Sequence, residues 1–166
     1  MELLIRAVRL EDAAALVDIL NPIIETGKYT ILDTPFSVEA ERDYLTRFPQ
    51  RGILHVAERR RDQAIVGLQS IEPFATYTHA CDHVGVVGTF VALSHRREGI
   101  GQRLSEVCFA AAKRKGYKKL FSFVRADNRQ ALAFYRRLGF RTVGKALRHA
   151  KFDTKYVDEV IIEKFL

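Results

Sequence analysis

Arg96, Arg97, Gly99 and Gly101 stand within six residues, directly after the mostly apolar run Val84 to Leu93. Such a run reads as a strand, and Gly99 to Lys115 has the spacing of an amphipathic helix. The first turn of a helix offers unpaired N–H groups and a partial positive charge. Glycines there let the backbone approach an anion closely, and two arginines add formal charge. The chemistry such a turn suits is pyrophosphate binding. Two other phosphate motifs are absent. No G-x-x-x-x-G-K-[ST] string exists, and a dinucleotide G-x-G-x-x-G would need glycine where Leu104 stands and an acid where Arg125 stands. Taken alone, the turn fits a ligand site and a basic surface turn equally well.

A second set follows one helix and one strand later: Asn128, Ala131, Tyr135, Gly139 and Phe140. A phenol with a pKa of about 10 is protonated at neutral pH and can act as a proton donor. The same spacing also makes Tyr135 an ordinary core residue on a helical stripe. Asn128 stands where a helix cap belongs and can also face a ligand. His79-Ala-Cys81-Asp82-His83 gathers metal-ligand types, but no second cluster completes a metal site, so it reads as a loop.

Arg96-x-x-Gly99-x-Gly101 after an apolar strand resembles the Q/R-x-x-G-x-G/A signature of the GNAT (Gcn5-related N-acetyltransferase) superfamily. Asn128-x-x-Ala131-x-x-x-Tyr135-x-x-x-Gly139-Phe140 is similar to that family's N-x-x-A-x-x-x-Y-x-x-x-G-F stretch. Gly144 to Leu166 resembles its closing hairpin, so the resemblance spans the chain. Ile5-Arg-Ala, Glu11-Asp12, Asn21 and Thr34-Pro35 resemble the phosphinothricin-acetyltransferase-like branch.

The resemblance implies an acetyl-CoA-dependent N-acetyltransferase with acetyl-CoA as co-substrate and no metal. It implies a pyrophosphate site at Arg96, Arg97, Glu98, Gly99, Ile100, Gly101 and Gln102. Backbone groups of Phe90 and Val91 would pair with the pantetheine arm, and Asn128 and Tyr135 would also contact the cofactor. Tyr135 would be the catalytic acid. The acceptor would be a primary amine of a small molecule, attacking directly in a ternary complex, with a peptide or protein N-terminus as an alternative. Many members of the branch carry a glutamate base where this sequence has Val86, so the base is unassigned; Glu72, Asp82 and His83 are near in the chain. That departure leaves a non-catalytic acyl-CoA sensor open as well.

These residues need a scaffold, and hydrophobic periodicity supplies one. Leu3 to Val8 reads as a strand and Glu11 to Leu20 as a helix. Ser37 caps a second helix, and two strands, Ile53 to Glu58 and Ala64 to Ile71, flank a turn at Arg61 to Gln63. After the strand at 83–93 and the helix at 99–115 come the strand Leu120 to Val124 and the helix Asn128 to Leu138. Strands beginning at Phe140 and Tyr156 end the chain. The order β-α-α-β-β-β-α-β-α-β-β predicts one α/β domain over 1–166, a mixed β-sheet with flanking helices, antiparallel hairpins in the middle and one parallel crossover. The loops after Asn21 and around Phe74 to Asp82 are expected to line the acceptor site, with Tyr29, Thr30, Phe36, Phe74 and Tyr77.

Charge is unevenly spread. Residues 95 to 151 hold 16 Lys or Arg against three acids, while the remainder has 11 basic and 17 acidic residues. The excess marks a polyanionic partner, and a phosphorylated cofactor satisfies it. Nothing resembles a zinc finger, a helix-turn-helix or an RNA-binding string, so no nucleic acid is expected. The longest apolar run is about half a membrane span. Met1-Glu-Leu-Leu-Ile-Arg does not read as a signal peptide, and two isolated cysteines fit a reduced compartment. Cys108 falls on the apolar stripe of its helix and reads as core. The expectation is a cytoplasmic protein without membrane contact, and a homodimer as is common among similar proteins.

Overall fold

Alternation along the strands decides which layer each side chain enters. In the computed structural model, which describes residues 1–166, the strands are β1 (Leu3–Ala7), β2 (Ile53–Arg59), β3 (Ile65–Pro73), β4 (Val84–Val91), β5 (Lys119–Arg125), β6 (Arg141–Phe152) and β7 (Lys155–Phe165). They form one seven-stranded sheet in the order β1-β2-β3-β4-β5-β7-β6. Every neighbouring pair is antiparallel except β4 and β5. The helices are α1 (Ala13–Glu25), α2 (Val38–Thr46), α3 (Ile100–Arg114) and α4 (Arg129–Arg137). The element order is the expected one.

Two layers of helix cover the sheet. Leu16, Ile19, Leu20, Ile23 and Ile24 of α1 pack on Leu54, Val56 and Leu68, with Phe90 against the cluster. On the opposite face Cys108, Ala111 and Ala112 of α3 and Tyr135 of α4 meet Ile71, Val87, Leu120, Val124 and Ile162. Burying such stripes is the main stabilising term of the fold. Cys108 is fully buried, as its place on the stripe requires.

Differences from the expected elements have local causes. Helix α1 continues through Pro22 to Glu25 instead of ending at Leu20. Pro22 lacks one helical N–H, but Ile23 and Ile24 beyond it are buried, and that burial holds the last turn. Asn21 therefore lies inside the helix, where its side chain exchanges hydrogen bonds of 2.9 Å with both main-chain groups of Phe36. Strand β6 runs on to Phe152 through a charged stretch, because pairing with β7 carries it past two irregularities of register.

The decisive feature is the junction of β4 and β5. Their ladder joins Val84 to Lys119, Gly85 to Leu120 and Val86 to Phe121, and then the strands part. At the fork Ser122 Oγ donates to Val87 O at 2.8 Å, closing the ladder with a side chain. Beyond it the sheet has a gap.

Candidate active site

A cavity of about 810 Å³ fills that gap. Val87 to Val91 form one wall and Ser122 to Arg125 the other. Val124 belongs to the α3–α4 side, whereas Arg125 reaches Gly27 and Thr30 after α1, so the cavity passes through the sheet from one face to the other.

Main-chain direction in β4 follows from its pairing. Phe74 N–H donates to Val84 O and Ala92 N–H to Val66 O, so the even-numbered residues of the strand face β3. Thr89 and Val91 turn their main-chain groups into the gap. Phe90 turns its own toward Leu68, so its main chain does not offer the pairing expected of it, although the residue lines the cavity.

The Arg/Gly turn opens onto the same space. A short 3-10 turn, Leu93–His95, leads to an extended Arg96, then Arg97 at φ 65° and Gly99 at φ 79°, after which α3 begins. The left-handed conformation at 99 is one that glycine adopts without steric cost. Ile100 is buried against Leu3, Ala57, Val66 and Leu104 and pins the helix start. Arg103 is the first residue of α3 whose N–H finds a helical acceptor, Gly99 O at 3.1 Å. The N–H groups of Ile100, Gly101 and Gln102 are left pointing out of the helix end, where an anion is favoured. The Arg96 guanidinium lies 3.8 Å from the centre of the Tyr29 ring, which fixes its position. Arg96, Arg97, Gly99, Ile100, Gly101 and Gln102 all line the cavity; Glu98 does not, and its carboxylate lies 3.3 Å from His95 Nδ1. This set of donors and cations fits a pyrophosphate.

A Cβ at position 101 would lie 3.1 Å from two atoms of the Phe134 ring. Gly101→Val should therefore displace the helix start and weaken acetyl-CoA binding about tenfold, the ~1.4 kcal/mol of roughly one hydrogen bond to a charged group. Calorimetric titration with acetyl-CoA measures it.

Tyr135 is both a core residue and a cavity residue. Its ring packs on Phe134 and Phe140, and it is only 6% exposed. Its O–H donates to Thr89 Oγ1 at 3.0 Å, and Gln69 Nε2 donates to the same oxygen at 2.8 Å. Gln69 is held in turn by Ser105 at 2.8 Å, which donates to Gly101 O at 2.8 Å. Burial pushes the phenol up to about 12, against a smaller opposing effect of the Thr89 hydrogen bond. The group stays protonated at any working pH.

Asn128 caps α4 by accepting from Ala131 N–H at 3.1 Å and holds Tyr29 O at 3.1 Å with its amide nitrogen. One amide hydrogen remains, on the cavity wall. Arg125 ties the loop after α1 to β5: Nη1 donates to Gly27 O at 2.8 Å and Thr30 O at 3.1 Å, while the rest of the fork holds Asp127.

Of the loops expected at the acceptor side, that after α1 is present through Tyr29, Thr30 and Ile31. Phe36 packs in the α1 core instead. The β3–β4 connection stands at the joined end of β4 and β5, away from the gap; Phe74 packs edge-on against Phe121, and Tyr77 is exposed. In that loop His79 turns to Asp82 at 3.1 Å. Sequence reasoning missed Thr89, Ser122, Arg125 and Glu159. A signal did exist for the last: an acid within the apolar run of the final strand.

The sequence profile of the acetyltransferase (GNAT) family matches residues 20–140. The chain belongs to the GNAT family. It is an acetyl-CoA-dependent N-acetyltransferase. Among GNAT relatives, a phosphinothricin N-acetyltransferase of Streptomyces coelicolor is 26% identical over 136 residues, 81% of this chain and 79% of that one. A ribosomal-protein-alanine N-acetyltransferase from Brucella melitensis superposes with a TM-score of 0.90 at 26% identity, covering 98% and 99% of the two chains. A phosphinothricin acetyltransferase from Sinorhizobium meliloti, solved with acetyl-CoA, superposes with a TM-score of 0.91 at 18% identity over 100% of this chain and 89% of that one, and shares the GNAT fold. No helix here is long and apolar enough to cross a membrane.

Proposed function

We propose that the whole chain, 1–166, is one catalytic domain that transfers the acetyl group of acetyl-CoA to the primary amine of a small molecule. The observation that carries this is that the Arg/Gly turn (Arg96, Arg97 and Gly99 to Gln102) and Tyr135 line one cavity through the sheet. The N–H groups of Ile100, Gly101 and Gln102, with Arg96 and Arg97, would hold the pyrophosphate. Thr89 and Val91 would pair with the pantetheine arm as an added strand would, and one of their N–H groups would stabilise the carbonyl oxygen as it gains charge. Asn128 would contribute its free amide hydrogen.

The amine nitrogen attacks the thioester carbon, the C–N bond forms, the C–S bond breaks, and Tyr135 gives its proton to the leaving sulfur. The high pKa of the phenol does not spoil this match. Burial disfavours a thiolate in the same place, so both anions are penalised together. Direct attack is the route these side chains support. Cys108, the buried thiol nearest in type to a covalent nucleophile, is pushed by burial up to about 12, and it sits in the core. A cytoplasmic homodimer is the working form we infer, with no metal and no nucleic-acid partner.

The test is thiol release from acetyl-CoA over a panel containing phosphinothricin, amino acids, spermidine, an aminoglycoside and an alanine-terminated peptide. Saturation by at least one small amine, with intersecting double-reciprocal lines, is expected. The Brucella melitensis relative favours a second reading, a peptide or protein N-terminus as acceptor, and turnover confined to the peptide would establish it. Parallel lines would replace direct transfer by an acyl-enzyme. Acetyl-CoA binding without turnover of any amine would leave a sensor.

A further inference from the structure

Direct transfer leaves the amine's proton without a destination. The position of the branch's glutamate is Val86, on the α1 face of the sheet, and the obvious substitutes are engaged elsewhere. Glu72 pairs with Val86 across β3 and β4, but it accepts the Tyr44 O–H at 2.7 Å and is not part of the cavity wall. Asp82 is paired with Arg51 and His79. His83 is exposed at the joined end of the strands. Glu163, on the same face of β7, is held by Lys119 and Arg141.

Glu159 is different. It is 3% exposed and lines the cavity, yet no donor reaches its carboxylate within hydrogen-bond distance. Its oxygens are not sealed in the core, as the unpartnered His55 Nδ1 and Gln69 Oε1 are, so the carboxylate is open to the cavity it lines. It pairs with Arg125 across β5 and β7, so it stands on the α1 face of the gap. Tyr135 stands on the other. Direct transfer needs a base within reach of the attacking nitrogen and an acid within reach of the sulfur, and the two sides of the gap offer one of each. His149 Nε2 lies 3.9 Å from the Glu159 carboxylate, and its ring is half exposed and stacked on Phe123.

We propose that Glu159 is the base of the acceptor site: it takes the proton of the substrate ammonium, and His149 passes that proton to solvent. The inference rests on the acyl-transfer reading above. The N–H bond breaks and a carboxyl O–H forms, freeing the nitrogen lone pair to attack. The second proton lost by that nitrogen replaces the one Tyr135 gives to sulfur. One proton is released in total, as the conversion of an ammonium to an amide requires. The charged groups flanking Glu159 are Arg125 from β5, which is committed to Asp127 and two carbonyls, and His149 from β6. Burial raises the carboxyl above the usual range, and His149 and Arg125 oppose this. The acidic limb of kcat/KM should therefore lie above ordinary carboxylate values, with activity lost as pH falls through it.

The test compares wild type with Glu159→Gln, using acetyl-CoA and the best amine of the panel between pH 6 and 10. The variant should lose about 10²-fold in kcat/KM at pH 7, a typical general-base contribution. The deficit should shrink as pH rises toward the amine's own pKa, where solvent delivers the free base. Acetyl-CoA affinity should stay within about twofold, since Glu159 makes no ion pair with the Arg/Gly turn and its one charged neighbour within 4 Å is His149, and His149→Gln should show a smaller loss with the same pH trend. A second readout is stability: removing a carboxylate whose ionised form is disfavoured should make Glu159→Gln gain on wild type in melting temperature as pH rises from 5 to 8. Activity within threefold of wild type and an unchanged pH profile would overturn the assignment, as would a large loss of acetyl-CoA affinity. If wild type itself turns over no amine, the small-amine reading fails first, and the base assignment falls with it.

Discussion

Tyr135→Phe is expected to lower kcat by about 10²–10³-fold, the lower part of the range of about 10²–10⁴ for a lost general acid. Affinity for acetyl-CoA should remain within about threefold. The ring stays, so packing on Phe134 and Phe140 is kept. The hydroxyl goes, and with it the bond to Thr89. Thr89 Oγ1 still accepts from Gln69, so no buried polar atom is stranded, and the melting temperature should fall by only a few degrees. A kcat effect without a binding effect is the signature of an interaction made in the transition state. The profile should also separate by substrate. A thioester with a more acidic leaving thiol needs less protonation, so its turnover should suffer least. Equal losses for all thioesters would move Tyr135 from acid to scaffold.

Arg125→Met is expected to lower the melting temperature by about 5–10 °C, from about 2–3 kcal/mol of lost stability at this chain length. Arg125 is 4% exposed and is the single tie between β5 and the loop 26–30 through Gly27 O and Thr30 O. Methionine retains the aliphatic stem but offers no donor. Gly27 is exposed and Asp127 about half exposed, so water rescues part of what is lost, and the figure stays below that of a fully buried ion pair. The loop carries Tyr29, on which Arg96 rests, so acetyl-CoA affinity should fall along with stability. Arg125→Lys should recover little, because an ammonium cannot span two carbonyls and a carboxylate at once. Thermal melting with and without acetyl-CoA reads both effects.

How much of this was legible depends on which forces set each residue. The Arg/Gly turn could be read because helix starts impose their own local chemistry: outward N–H groups, a left-handed residue at Gly99 and nearby cations. Tyr135 could be read as belonging to a helical stripe, although spacing alone does not separate core from site, and here it is both. Element order followed from periodicity. Glu159, Thr89 and Arg125 could not be placed, because strand register brings them together and short-range spacing does not determine register. The direction of the Phe90 main chain was hidden for the same reason. Helix α1 outran its proline because buried isoleucines beyond Pro22 outweigh one missing hydrogen bond. Phe74 and Tyr77 were expected at the acceptor side, but the ladder that parts only after Val86 and Phe121 leaves them at the closed end.

The fork sealed by Ser122 gives the sheet an edge in its own interior. An edge strand is normally a hazard because it invites another chain, but this one lies in a cleft between helix layers. It is also where β1–β4 and β5–β7 lose their direct main-chain pairing. Amide hydrogen exchange should reveal this as weak protection at Thr89 and Val91, and that protection should rise sharply once a pantetheine arm bridges the halves. The donor would then act as the missing rung of the sheet, and the resistance of the folded chain to unfolding would track the concentration of its own acyl donor.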